Sequence, residues 1–61
     1  INLAVQINGK TRDIIKINKD LKEEDVNQII IKNSKANKYL SNNKISKIIF
    51  VKNKIINYIV I

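Results

Sequence analysis

The chain has 61 residues and a net charge of +7, and it contains no Cys, no His and no Pro. Without Cys and His it cannot form a disulfide, a zinc site built from these ligands, a thiolate nucleophile or an imidazole acid–base catalyst. At this length one compact domain, residues 1–61, is the upper limit, and a hydrocarbon core rich in the 15 Ile residues must stabilise it.

The first predicted element is a β-hairpin. Apolar residues alternate with less apolar ones over residues 3–7, a period of two that is typical of a half-buried strand. Asn8-Gly9 follows and predicts a tight turn, because both residue types accept positive φ. A second strand then covers about residues 11–17. Its register stays open, because a two-residue turn would place Arg12 opposite Val5, whereas a bulged turn would shift that pairing.

A helical region follows the hairpin. Asp20, with Glu23 three residues later, fits a capping box at the start of a helix. Apolar residues recur at helical spacing over residues 26–30 and again over residues 36–40. A break is predicted just before Ser34, which is itself a candidate cap for the second short helix.

Two further strand-like runs complete the chain. They cover residues 45–51 and 55–61, and they are joined at Lys52-Asn53, where Asn again tolerates a tight turn. The element order is therefore ββααββ. Two hairpins with helices between them predict an α+β fold, in which a small, mostly antiparallel sheet carries the helices on one face. The longest apolar runs have four residues, far too few to span a membrane.

Catalytic and cofactor-binding motifs are not found in this sequence. Gly9-Lys10-Thr11 resembles the end of a phosphate-binding loop, but that motif needs a glycine at position 4, which is Ala. The acids at residues 23–25 are consecutive, so on a helix their side chains fan apart, and they suit the positive end of the helix dipole better than a catalytic pair. We therefore predict that this chain alone is not an enzyme, with no catalytic, cofactor or metal site.

Charge is the remaining functional signal. All five acids lie in residues 1–25, whereas residues 26–61 hold seven Lys and no acid. Such a region attracts polyanions, nucleic acid before anionic lipid. An A/T-rich genome is the alternative explanation, because Ile, Asn and Lys have A/T-rich codons and make 36 of the 61 residues. Tyr39 and Phe50 fall in apolar patterns, so a surface that reads phosphates or shape fits better than base stacking.

Three segments resemble the C-terminal domain of bacterial leucyl-tRNA synthetases. The family's opening signature, VQVNGKxR, is similar to VQINGKTR at residues 5–12. Its ending, KVIVVPGKLVNIVV, is similar to KIIFVKNKIINYIV at residues 47–60, and its QKYL motif is similar to Lys38-Tyr39-Leu40. There are two departures: Lys52-Asn53 replaces the Pro-Gly turn, and Asp13 stands where a small or basic residue is common.

The resemblance implies a function in tRNA recognition. In this family the domain hangs from the anticodon-binding bundle by a flexible linker and reaches the elbow of the tRNA, where the D and TψC loops meet. It implies tRNA-Leu and the remaining synthetase domains in cis as partners, a monomeric state, a cytoplasmic location and no membrane. Aminoacylation and editing, with ATP and Mg, belong to other domains of the parent enzyme.

Motif position selects six candidate tRNA contacts. They lie at the two hairpin turns and on the strand before the second turn, and for each the alternative is a solvated surface residue: Lys10, Arg12, Lys47, Lys52, Asn53 and Lys54. Gly9 and Asn57 are assigned instead to backbone geometry and local hydrogen bonding.

Two other functional classes stay open. One is a generic small RNA-binding module, which would bind many RNAs equally. The other is a protein-interaction module, whose basic face would bind an acidic partner and show negligible RNA binding at physiological salt. The chain begins with Ile1 and not with Met, so we expect it to be a piece of a longer protein.

Overall fold

The computed structural model describes all 61 residues and contains six regular elements. They are β1 (Asn2–Ile7), β2 (Lys10–Lys16), α1 (Glu23–Asn33), α2 (Asn37–Ser41), β3 (Ile45–Val51) and β4 (Ile55–Val60). The order ββααββ and the α+β class expected from the sequence are confirmed. Neither helix is long and apolar enough to cross a membrane.

One four-stranded sheet contains all the strands, in the order β2-β1-β4-β3. Each hairpin is antiparallel, and the hairpins meet where β1 and β4 pair in parallel. The sheet is thus mostly antiparallel, as predicted, with a parallel pair at its centre. Because β1 and β4 run in the same direction, the β1–β2 turn lies at one end of the sheet and the β3–β4 turn lies at the opposite end.

The first hairpin combines a tight turn with a β-bulge. Asn8 (φ 50°) and Gly9 (φ 82°) both occupy the positive-φ region that a two-residue type I′ turn requires. The pairing then shifts between Gln6 and Val5, so that Arg12 is the extra residue and Asp13 lies opposite Val5. Of the two registers that the sequence left open, the structure combines features of both. The turn has two residues, and a bulge within β2 nevertheless removes Arg12 from its pairing with Val5.

The helices cover one face of the sheet and form the core with it. Alternate residues of the two central strands are buried against apolar residues of both helices: Leu3, Val5, Ile7, Ile56 and Tyr58 from the strands, and Val26, Ile30, Ala36 and Leu40 from the helical region. Tyr39 and Phe50 are partly buried and pack against this cluster. Because the core is so small, truncating one of its large aliphatic side chains to Ala should cost about 2–5 kcal/mol.

The predicted capping box at the start of α1 is wrong. The helix begins at Glu23 with Lys22 as its N-cap, and no side chain caps it. Asp20 lies two residues before that cap, adopts positive φ (65°), and exchanges hydrogen bonds with Asn53. A tertiary contact therefore takes the side chain that the local pattern assigned to the helix. Acidic residues do occupy the first turn, as expected from the helix dipole.

Ser34 separates the two helices, at the predicted position. α1 ends at Asn33, and Ser34 is extended and almost fully buried. Its Oγ accepts a hydrogen bond from the N–H of Ala36 at 3.1 Å and donates one to Asp13 Oδ2 at 2.6 Å. The N-cap of α2 is Ala36 and no side chain caps that helix, so the expectation that Ser34 caps it is wrong. The Ser34 side chain instead closes the turn before α2 and ties that turn to β2.

Tyr58 on β4 is the largest fully buried side chain. Its hydroxyl donates a hydrogen bond to Asn27 Oδ1 on α1 at 2.6 Å, which links the sheet to the helix. Burial, and to a lesser extent the negative charge of Glu23, raises the pKa of Tyr58 from 10.0 to about 12. The folded state therefore favours the neutral phenol over the phenolate.

We expect the free energy of unfolding to fall as the pH rises from 10 to about 12. The folded-state pKa lies above the unfolded value, so this contribution is complete below the unfolded pKa and is lost on approach to the folded one. Tyr58→Phe should lose about 1 kcal/mol at pH 7, because the Asn27 bond is gone, and should show a smaller decline in this range. Urea unfolding followed by circular dichroism measures both, and an equal decline in the two proteins would contradict the assignment.

Candidate RNA-binding surface

The six candidate contacts do not form one cluster. Lys10 and Arg12 lie on β2 beside the first turn, whereas residues 52–54 form the second turn at the opposite end of the sheet. Strands of this length separate the two ends by about 20 Å. Lys47 lies on β3 and pairs with Ile59, nearer the end that holds the first turn. The structure therefore divides the candidates between the two ends of the sheet.

Arg12 is held against the second helix by a cation–π contact. Its Cζ lies 5.0 Å from the centroid of the Tyr39 ring, and Lys38 Nζ lies 5.3 Å from the same centroid. Arg12 and Lys38 are exposed and Tyr39 is half-buried. The ring therefore packs on the core with part of its surface and contacts two cations with another part, an arrangement in which the negative face of the ring attracts the charges.

Lys35 brings a third cation to this region from the segment between the helices. It lines a groove of about 360 Å³ together with four residues of β2: Thr11, Arg12, Asp13 and Ile14. The sequence analysis did not select Lys35 or Lys38. For Lys38 a signal was present, since it lies in the motif that matches the synthetase family, but only the packing of α2 beside β2 shows that it meets Arg12.

Asp13 is the one carboxylate of this groove, and its own contacts stabilise its charge. The Ser34 hydroxyl holds the pKa of Asp13 below its ordinary value, opposed by partial burial and assisted by the Ile14 N–H and by Lys35. Oδ2 accepts the Ser34 bond and Oδ1 accepts the Ile14 bond at 2.8 Å. Asp13 therefore remains ionised, and both of its oxygens have hydrogen-bond partners within the protein.

At the second turn, Asn53 is engaged within the protein. It adopts positive φ (66°), its Oδ1 accepts a hydrogen bond from the N–H of Asp20 at 2.7 Å, and its Nδ2 donates one to Asp20 Oδ1 at 2.8 Å. This reciprocal pair ties the loop before α1 to the β3–β4 turn. Lys52 and Lys54 on either side are exposed. The contact of Asn53 with tRNA stays a prediction, and the structure gives it a second role.

Other Asn side chains fasten the first turn to β4. Asn57 Oδ1 accepts a hydrogen bond from the N–H of Gly9 at 3.0 Å, and Asn8 Oδ1 accepts one from the N–H of Val60 at 2.9 Å. The local role expected for Gly9 and Asn57 is thus what the structure shows. These bonds fix the turn that precedes Lys10.

The sheet face opposite the helices is not covered by another element, and it carries a row of apolar residues. One row of directly paired residues crosses all four strands: Ile14, Ala4, Ile55 and Val51. Ile14 and Val51, at the two ends of the row, are 63% and 42% exposed. Lys47 belongs to this face, since its partner Ile59 does. The sequence did not predict this surface. Ile and Val occur on both faces of the strands, so the pattern of apolar residues does not show which face is buried.

Comparison with known proteins gives one consistent result. No family model matches the chain. Leucine–tRNA ligases of Petrotoga mobilis and Malacoplasma penetrans are 48% and 45% identical over 60 residues, which are 98% of this chain but only 7% and 8% of theirs. Among solved structures, the Agrobacterium radiobacter LeuRS–tRNA–LeuAMS ternary complex superimposes with a TM-score of 0.86 at 35% identity, over 98% of this chain and 8% of that one.

The Asp20–Asn53 pair yields a stability prediction. Asn53→Gly keeps positive φ accessible but removes the two hydrogen bonds, so the free energy of unfolding should fall by about 1 kcal/mol. Asn53→Ala should lose about 1 kcal/mol more, because positive φ strains a residue with a Cβ. Urea unfolding of both variants, and of Asp20→Gly in a double-mutant cycle with Asn53→Gly, gives the coupling energy of the two side chains. Asp20→Gly keeps the backbone N–H that bonds to Asn53, so full additivity of the two glycine variants would show that the bond from Asn53 Nδ2 to Asp20 Oδ1 contributes nothing.

Proposed function

We propose, from its homology to a segment of the leucine–tRNA ligases, that this chain is an accessory tRNA-binding domain of such a synthetase. The observation that carries the proposal is its match to part of a synthetase that was solved together with tRNA. The ligand is tRNA-Leu, and the region contacted is the elbow. The domain acts as a monomeric unit in the cytoplasm, joined in cis to the synthetase domains that bind ATP and Mg and catalyse aminoacylation.

The chemistry of the surface supports an RNA ligand. A folded RNA corner presents phosphates and 2′-hydroxyls and few readable base edges, so cations that can follow its shape suit it better than base-specific side chains. The exposed cations beside the first turn, Lys10 and Arg12, stand on a strand whose turn is fastened to β4 by Asn hydrogen bonds. Their positions are therefore restricted before RNA arrives, which lowers the ordering cost of binding.

Lys10 and Arg12 are the contacts expected to matter most. We predict that replacing both with Ala lowers tRNA-Leu affinity and reduces the slope of log K against log salt by about 1.4–1.8 units, since each lost phosphate contact removes about 0.7–0.9 unit. The free energy of unfolding should fall by no more than about 1 kcal/mol, the size of one exposed cation–π contact. Fluorescence anisotropy with a tRNA-Leu transcript at several salt concentrations measures the slope.

A matched control removes two charges elsewhere. Lys22 and Lys32 are exposed at the two ends of α1 and are not candidate contacts, so their double Ala variant should keep most of the slope. A minihelix of the tRNA-Leu acceptor stem, which lacks the elbow, should bind more weakly than the whole tRNA. Equal binding of both RNAs would favour the generic RNA-binding module, and negligible binding at physiological salt would favour the protein-interaction module.

In the full-length synthetase the same double variant should separate two activities. Aminoacylation of tRNA should weaken because tRNA is held less tightly, while leucine activation measured without tRNA should stay normal. Unchanged aminoacylation would place the tRNA contact elsewhere on the domain.

A further inference from the structure

We propose that Arg12, Lys35 and Lys38 form a single phosphate-binding site, in which Tyr39 contacts Arg12 and Lys38, and that this site binds the ribose–phosphate backbone of a folded RNA. This inference rests on the proposed RNA-binding function and deepens it, since it adds Lys35, Lys38 and Tyr39 to the contacts and gives Tyr39 the part of a positioning residue.

The first reason for proposing this site is that its three cations come from different parts of the chain. Arg12 is the extra residue of the β2 bulge, Lys35 lies between the helices and Lys38 lies on α2. Arg12 and Lys38 are both within 5.3 Å of one ring centroid, so their charges lie no more than about 10 Å apart. Like charges at that range repel each other, and the ring face attracts both. An anion bound between them removes the repulsion, so the site favours a negatively charged ligand.

The second reason for proposing this site is that the side-chain donors of its cations have no hydrogen-bond partner in the protein. None of the hydrogen bonds that involve side chains uses the side chain of Arg12, Lys35 or Lys38. Asp13, the acid closest to them along the groove, has one oxygen bonded to Ser34 and the other to the N–H of Ile14. The donors of the three cations are therefore free for an external ligand.

The bulge explains why Arg12 reaches α2. In a regular hairpin Arg12, the residue after Thr11, would pair with Val5. In this structure Asp13 pairs with Val5, and Arg12 has no partner on β1. A bulge bends the strand and redirects the extra side chain. Asp13 at the same time reaches Ser34, so one irregularity places the arginine on Tyr39 and the carboxylate on its hydroxyl partner.

Phosphate is the anion that fits this donor set best. The guanidinium of Arg12 offers a planar fork that binds two phosphate oxygens, and the two ammonium groups add charge without imposing a direction. The adjoining groove of about 360 Å³ is shallow and lined mainly by polar side chains, which suits a ribose–phosphate unit better than an apolar ligand.

Tyr39 is tested by variants that leave the charge of the chain unchanged. Tyr39→Phe keeps the aromatic face, whereas Tyr39→Leu keeps an apolar side chain and removes that face. With a tRNA-Leu transcript as the probe, Tyr39→Phe should bind like the parent chain, and Tyr39→Leu should bind about two- to fivefold more weakly. Thermal unfolding of both variants, with binding measured where each is folded, separates this effect from a loss of core packing.

Charge variants test the three cations. Arg12→Ala, Lys35→Ala and Lys38→Ala should each reduce the salt slope by about 0.7–0.9 unit. Lys32→Ala, which removes an exposed lysine of α1, is the matched control and should reduce it by less than half as much. Arg12→Lys should keep the slope and still lose affinity, because an ammonium cannot form the bidentate contact.

Three results would overturn the site. If Lys32→Ala behaves like the three site variants, the charge acts diffusely and the site does not exist, although the RNA-binding function stands. If Tyr39→Leu binds like Tyr39→Phe, the ring does not position Arg12. If poly-L-glutamate of equal charge displaces the tRNA as well as unlabelled tRNA does, the site is not selective for phosphate. Failure of the parent chain to bind tRNA at low salt would remove the proposed function as well.

Discussion

The parallel pairing of β1 with β4 is the interaction on which the rest of this structure depends. It joins two hairpins that are far apart in the chain, and the bonds from the N–H of Ala4 to Lys54 O and from the N–H of Asn8 to Tyr58 O bracket it. Neither hairpin alone is expected to be stable in water, because a two-stranded ribbon cannot bury its apolar face. The pairing brings the two apolar strands under α1 and creates the core. It also places the two basic turns at opposite ends of the domain.

Asn residues occupy several of the turn positions that Gly and Pro occupy in other small domains. The chain has one Gly and no Pro, and Asn8, Asp20 and Asn53 take the remaining positive-φ positions. Asn and Asp tolerate that region because their short polar side chains bond locally. Here those side chains also reach across the fold, from Asn8 to β4 and from Asn53 to the loop before α1. The Asn content is therefore partly structural, whatever the genome composition contributes.

The β-bulge at Arg12 determines where part of the positive charge lies. Lysines are spread over the whole surface, and most have no fixed neighbour that would distinguish them from solvated cations. The bulge at Arg12 is the exception, since it sets a guanidinium against Tyr39 beside Lys38 and sends Asp13 to Ser34. A strand that was regular at this point would place Arg12 opposite Val5, where a charged group is costly to bury without partners. The bulge places Asp13 there instead, and the Ser34 hydroxyl and the Ile14 N–H supply hydrogen bonds to its carboxylate.

Local sequence patterns were enough to predict the elements of this protein, their order, the Asn8-Gly9 turn and the break at Ser34. The motifs also showed its similarity to the leucine–tRNA ligases. Each of these depends on residues a few positions apart, or on motifs that are read directly. The parallel centre, the bulge, the Asp20–Asn53 pair and the gathering of cations at Tyr39 were decided only by the tertiary structure. The Asp20–Asn53 contact joins residues 33 positions apart, and it overrode the capping box because a reciprocal pair of hydrogen bonds outweighs a single exposed cap. The sequence shows which residues are apolar, but the partner strands and helices determine which face of the sheet is covered. The exposed apolar row and the gathering of cations at Tyr39 are therefore seen only in the tertiary structure.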